Sequence, residues 1–137
     1  MTIGAGAFAG ACRLPGAIQP PGAREVFALF GGKSKCSEPT AAFELASRPA
    51  ADATLTLAGL GSPGDPVGLE IVVNNQTIFA GRSPLGVESV LTEAALRVPE
   101  GVLRAGQNTL TIRNTVKNGK ENSPPFIVLA GAVVSYR

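Results

Sequence analysis

The sequence predicts an all-β protein, an antiparallel two-sheet β-sandwich (jelly roll) of about eight strands with no long helix. Three observations carry this. Several short runs alternate apolar and polar residues with a period of two. The joints between them are rich in turn formers. The 137 residues include 17 Gly and 11 Pro, a composition that suits many short strands and turns and does not suit long helices.

The clearest run is Leu69-Glu70-Ile71-Val72-Val73-Asn74. Successive side chains of a strand point to opposite faces, so Leu69, Ile71 and Val73 share one apolar face. Asn74-Asn75 follows where a tight hairpin turn is needed, and Asn tolerates positive φ. Residues 109–115 alternate as well: Leu110 and Ile112 face in, while Thr109, Thr111 and Arg113 face out. The β-branched threonines fit a pleated surface better than a helix.

In chain order, residues 1–24, with Pro15, Pro20 and Pro21, read as an arm or edge strand. Residues 25–30 are a short apolar run ended by Gly31-Gly32, a buried strand. Residues 31–39 are a polar loop. Residues 40–46 alternate, with Phe43 and Leu45 on one face, and 47–52 turn. Residues 53–58 place Leu55 and Leu57 inward. Residues 60–66 hold two prolines and two glycines in seven positions and read as a loop. The hairpin of 68–80 follows. Residues 81–93 form a longer connection in which Val87, Val90 and Leu91 would line one side of a single helical turn. Residues 94–98 are a strand stopped by Pro99, and 105–108 supply a turn. Residues 116–125 are the most polar loop. Residues 126–136 are apolar on both faces, which predicts either a central strand covered on both sides or a strand bent at Gly131. The expected organisation is an N-terminal arm with the first strand or strands over 1–39, packed on a jelly-roll core over 40–137.

Composition narrows the function classes. The absence of histidine removes Ser-His-Asp and Cys-His catalysis and the commonest metal ligand. The ten carboxylates are scattered and form no recognisable acid–base pair. A net charge of +2 is too weak for a nucleic-acid footprint. No run of eighteen apolar residues exists to form a membrane-spanning helix. The N-terminus lacks the basic start and leucine-rich centre of a signal peptide and is not read as one. Cys12 and Cys36 allow two readings. They are two unpaired thiols, or a disulfide that pins the N-terminal arm and implies an oxidising compartment.

Three pieces coincide in order: the strand Ala53-Thr-Leu-Thr-Leu-Ala58, the hairpin Ile71-Val-Val-Asn-Asn-Gln-Thr-Ile78, and the stretch from Val98-Pro99 through Val102-Leu-Arg-Ala-Gly-Gln-Asn-Thr-Leu-Thr-Ile112, followed by a polar loop and a closing apolar strand. Together they resemble the galactose-binding-like jelly rolls. These include many carbohydrate-binding modules, the jelly-roll domain of rhamnogalacturonan lyases, and sugar-binding domains appended to β-galactosidase-type enzymes. The resemblance covers about residues 40–137. It departs from the pattern at Asn75, where glycine is usual, and in having no tryptophan. It implies a non-catalytic carbohydrate-binding module of a larger secreted or surface protein, in an extracellular or cell-surface location. Lyase chemistry in such families resides in a different domain, so the expectation is that the chain is not an enzyme and needs no cofactor.

Strand alternation then places the candidate site. If consecutive strands reverse direction, the connections at 61–67, 81–93 and 116–125 fall at one end, and those at 47–52, 74–75 and 99–108 at the other. The first rim gathers Asp65, Arg82, Lys117, Asn118, Glu121 and Asn122, with Ser83, Glu88 and Lys120 beside them. Amides and charged groups supply the donor and acceptor mix that sugar hydroxyls need. The second rim offers mainly Asn74, Asn75, Arg104, Gln107 and Asn108. Asp65 or Glu121 with loop carbonyls is the one calcium arrangement the sequence suggests. Asn75-Gln-Thr77 matches a glycosylation sequon, meaningful in a eukaryotic secretory context. Phe43, Phe79 and Phe126 are expected in the core. The rival reading is a structural or protein-interaction sandwich that forms a homo-oligomer or docks onto neighbouring domains of a parent protein. A hydrophobic content of 45% favours that rival if part of it is exposed.

Overall fold

The computed structural model describes residues 1–13, 26–62, 67–86, 91–117, 119 and 124–137. In these it contains eleven strands: β1 (Thr2–Gly4), β2 (Phe8–Ala9), β3 (Cys12–Arg13), β4 (Phe27–Leu29), β5 (Thr40–Leu45), β6 (Ala53–Gly61), β7 (Gly68–Val73), β8 (Gln76–Arg82), β9 (Thr92–Val98), β10 (Gly106–Asn114) and β11 (Ile127–Ser135). The one helical element among the described residues is a 3-10 turn over Ala5–Ala7. One sheet runs β3-β4-β11-β6-β9, with β1 also paired to β11. The other runs β2-β5-β10-β7-β8. Every pairing is antiparallel. From β5 onward every connection except the β7–β8 hairpin crosses from one sheet to the other, so the chain wraps a sandwich rather than a meander.

The alternating runs supply the inner faces. Leu55, Leu57, Leu69, Ile71, Val73, Leu110 and Ile112 are each 2% exposed or less and share one core. Burying such a side chain contributes about 1.5–3 kcal/mol. Phe43 joins this core and Phe79 is half-buried at its margin, whereas Phe126 is half-buried against a second, smaller apolar cluster. The turn at Asn74-Asn75 has φ 49° and 66°, the doubly positive pair that a two-residue hairpin needs, so Asn75 serves where glycine is usual. On the flank where the N-terminal segment crosses between sheets, the Phe8 and Phe27 rings pack with centroids 4.7 Å apart.

Each reading of the last strand holds for part of it: Ile127–Leu129 is covered on both faces, and the register shifts at Gly131, beyond which the outward face is open. β11 lies inside its sheet, with β6 on one edge and β4 and then β1 on the other. Its register with β6 shifts between Leu129 and Gly131. Gly131 has φ +150°, and a Cβ there would come 2.7 Å from the Ile3 carbonyl, so β1 can lie alongside only because this residue has no side chain. Ile127 and Leu129 point into the main core. Val128 points outward into a second cluster with Val26, Ala28, Phe30, Cys36 and Leu60.

The strands beyond the expected eight are mostly the short N-terminal pieces. β1, β2 and β3 span two or three residues each, too few to show a period. Several boundaries also move: β8 runs on to Arg82 and β9 begins at Thr92, both inside the expected 81–93 connection. β6 continues through Leu60 and Gly61, expected in a loop, because they pair with Val128 and Ile127. β10 starts at Gly106, expected in a turn, because residues 106–108 pair with 45–43 of β5. The expected helical turn around 87–91 falls largely outside the described residues. Cys12 and Cys36 form a disulfide, with Cα atoms 5.6 Å apart. The unpaired-thiol reading is therefore replaced: pairing Cys12 with Ala28 fixes β3 against β4 and brings its sulfur to the loop that follows.

Candidate functional site

Hydrogen bonds show which loops meet. At one end Gly61 N donates to Gly86 O (2.8 Å), Ser62 N to Phe126 O (2.8 Å), Ser83 N to Val67 O (2.8 Å) and Thr115 N to Gly68 O (3.0 Å). These bonds stitch together the connections after β6, β8 and β10, as strand alternation requires. The loop after β4 joins them: Gly32 N donates to Val116 O at 2.7 Å and Lys33 N to Gly119 O at 3.0 Å. Gly31 and Gly119 make this possible, since a Cβ on Gly31 would sit 2.4 Å from the Gly119 Cα. The disulfide anchors the same loop, and the Ser34 hydroxyl lies 3.0 Å from Cys36 Sγ.

Of the expected site residues, Arg82 and Lys117 are described, and both are exposed at this end. Arg82 ends β8 opposite Gly68, and Gly68 in turn holds Thr115 on the far side of β7. Two strand spacings of about 4.8 Å therefore separate the backbones of Arg82 and Thr115, two residues before Lys117. Asp65, Asn118, Glu121 and Asn122 lie outside the described residues, and with them the expected calcium ligands. Among the described residues no three His, Cys, Asp or Glu side chains come together.

The opposite end is internally bonded. Asn108 is fully buried. Its Oδ1 accepts from Arg104 N (3.0 Å) and Asn74 Nδ2 (2.7 Å), and its Nδ2 donates to Arg104 O (2.9 Å) and Gly106 O (3.0 Å). Asn74 Nδ2 also donates to Val102 O at 2.8 Å, and its Oδ1 accepts from Thr109 N at 2.9 Å. Two of the five polar residues that the sequence offered on this rim are thus occupied in tying the 99–105 turn to the β7–β8 hairpin. Beside them the Asp52 carboxylate accepts from Arg97 Nε and from Glu100 N. The Arg97 bond first, and the Glu100 bond second, hold that carboxyl below its ordinary range.

With this geometry the chain can be compared with known proteins. No protein-family model and no curated protein matches the sequence. Solved structures do match, along the whole chain. A family 35 carbohydrate-binding module from an environmental isolate superposes with a TM-score of 0.68 at 14% identity, covering 98% of this chain and 92% of that one. The shared fold is a jelly-roll β-sandwich. The CBM36-1 domain of a multidomain xylanase from the hindgut metagenome of Trinervitermes trinervoides gives 0.66 at 13% identity, covering 100% and 97%. The Podospora anserina GH26-CBM35 β-(1,4)-mannanase gives 0.68 at 19% identity, covering all of this chain and 27% of that one. At these identities the likeness is one of fold.

This jelly roll presents no aromatic platform. None of its six Phe and one Tyr is exposed, and Tyr136 is half-buried against the core. One cluster of sheet-face charges is paired: Arg113 bonds Glu38 at 2.8 Å and also Glu70, and the Glu38 bond leads in raising the Arg113 pKa. The only large hydrophobic residues exposed among those described are Met1 and Val133, so the large apolar side chains described are otherwise buried or half-buried.

Proposed function

We propose that this chain is a non-catalytic carbohydrate-binding module of a larger secreted or surface protein, and that it grips glycan through the loops after β6, β8 and β10. The observation that supports it best is the fold likeness, which runs the full length of the chain to isolated modules and to a module within a mannanase. The loop chemistry agrees. The Arg82 guanidinium offers a fork of N–H donors and the Lys117 ammonium three more. Asn118 and Asn122 add amides that donate and accept, and Asp65 and Glu121 add acceptors. Such groups recognise paired hydroxyls. Without a stacked aromatic the affinity is modest, micromolar to millimolar, about −8 to −4 kcal/mol.

The test is a glycan-array screen followed by calorimetric titration of wild type, Arg82→Ala, and the double variant Asn118→Ala with Asn122→Ala. Wild type should bind a neutral glycan. Each variant should lose most of that affinity while its thermal midpoint stays within about 2 °C, because exposed loop side chains rarely carry stability. A wild-type domain that binds no glycan and elutes as a defined oligomer would replace this reading with the assembly one.

A further inference from the structure

A second concave feature lies away from the loop rim, on the outward face of the sheet that contains β11. It is a trough of about 190 Å³. Register explains its shape. Gly4 of β1, Gly131 of β11, Ala58 of β6 and Glu93 of β9 form one row across four strands. Thr2, Val133 and Thr56 form the next outward row. The floor is thus glycine, glycine and alanine, with hydroxyls along one side and a carboxylate at one end. The second apolar cluster, with Phe30, Leu60 and Val128, covers the other half of the same face, and Ala130 at its edge also lines the trough.

One residue of the floor has no reason in the fold. Gly131 is glycine because β1 passes too close for a Cβ. Gly4 is different. Its backbone is ordinary extended chain, φ −71° and ψ 162°, and a Cβ there would meet nothing within 4 Å. Glycine in a strand costs conformational entropy and gives up packing. What its missing side chain does leave is the open floor.

We infer that this trough is a second glycan site, one that takes a neutral pyranose ring lying flat; the inference rests on the carbohydrate-binding reading above. A pyranose has a C–H face that suits a Gly-Gly-Ala floor and a rim of hydroxyls. Glu93 is exposed, has no ion-pair partner among the described residues, and accepts hydrogen bonds only. Its ligand must therefore bring donors. Thr2 and Thr56 both donate and accept. Among the described residues no cationic side chain lines the trough, so an anionic sugar finds no partner among them. Sites of this kind combine an apolar floor with a few directed polar groups.

The experiment is a ¹⁵N-resolved NMR titration of the whole chain with cellotriose, xylotriose and mannotriose, and with glucuronic acid as the anionic control. At least one neutral trisaccharide should shift the amides of Gly4, Ala58, Glu93 and Gly131. Gly4→Val fills the floor with a good strand former and should abolish those shifts while keeping the thermal midpoint. Glu93→Gln should weaken binding about tenfold, as loss of a charged acceptor implies. Shifts confined to the surroundings of Arg82 and Lys117 overturn the trough and leave the loop rim standing. No shift in either place removes both. Trough shifts that persist in Gly4→Val, that are larger with glucuronic acid, or that follow protein concentration without sugar each overturn the inference, the last by making this face a contact between copies.

Discussion

Asn108→Ala separates structural from ligand-binding asparagines. The side chain is fully buried and makes four hydrogen bonds, to Arg104 N, Arg104 O, Gly106 O and Asn74 Nδ2. At about 1 kcal/mol net each, the four total roughly 4 kcal/mol. Some of this is recovered. Asn74 Nδ2 keeps Val102 O, and Arg104 and Gly106 are exposed enough for water to reach their carbonyls. The expected loss is about 2–3 kcal/mol. With an unfolding entropy of about 2.1 cal/mol/K per residue, that lowers the thermal midpoint by roughly 7–10 °C. Urea and thermal denaturation followed by circular dichroism measure it, and calorimetric glycan titration is run below the transition. The affinity should not change. A stability loss well under 1 kcal/mol would refute the argument that this network holds the 99–105 turn. A loss of affinity at intact stability would move the binding end to the Asn74–Asn108 rim.

Two further outcomes follow from pairs described above. Replacing Cys12 and Cys36 with serine removes a crosslink between residues 24 apart and should cost about 3–4 kcal/mol by loop entropy; thiol titration of the unfolded, unreduced wild type should find no free thiol, and two per chain would contradict the bridge. Asp52 has its pKa lowered in the fold, chiefly by Arg97, so its contribution is present above the ordinary carboxylate pKa and is lost as pH falls through the folded value. The thermal-midpoint gap between wild type and Asp52→Asn should therefore be small and level from about pH 5 to 8 and close below about pH 4; a gap that widens on acidification would contradict the pairing.

The fold was legible because burial imposes period two on any strand with one face inward. Leu69, Ile71 and Val73 announce such a face from three positions, as do Leu55 with Leu57 and Leu110 with Ile112. β1 to β3 were not legible, since pairs such as Phe8-Ala9 hold no period and are strands only because β5, β4 and β11 offer them edges. The disulfide was left open because a separation of 24 residues does not fix the distance between two Cα atoms. Strand alternation correctly brought the loops after β6, β8 and β10 to one end. It could not show the loop after β4 joining them, because that depends on two glycine backbones touching far apart in sequence. Nor could residue type separate Asn74 and Asn108, whose amides are used internally, from asparagines that face solvent.

The position of β11 bears on how the chain is made. β11, the last of these eleven strands in chain order, lies inside its sheet, and β1, the first of them, pairs with it alone. Until β11 emerges, that sheet exists only as two separate pairs, β3 with β4 and β6 with β9, with no strand to join them. Each pair then presents an open edge that any neighbouring chain can extend. The Ile3–Ala132 contact must also close a loop of nearly the whole chain. Such long-range pairing folds slowly, and its edges stay exposed meanwhile. Translation rate and chaperone supply are therefore expected to govern the yield of this domain more than its final stability does.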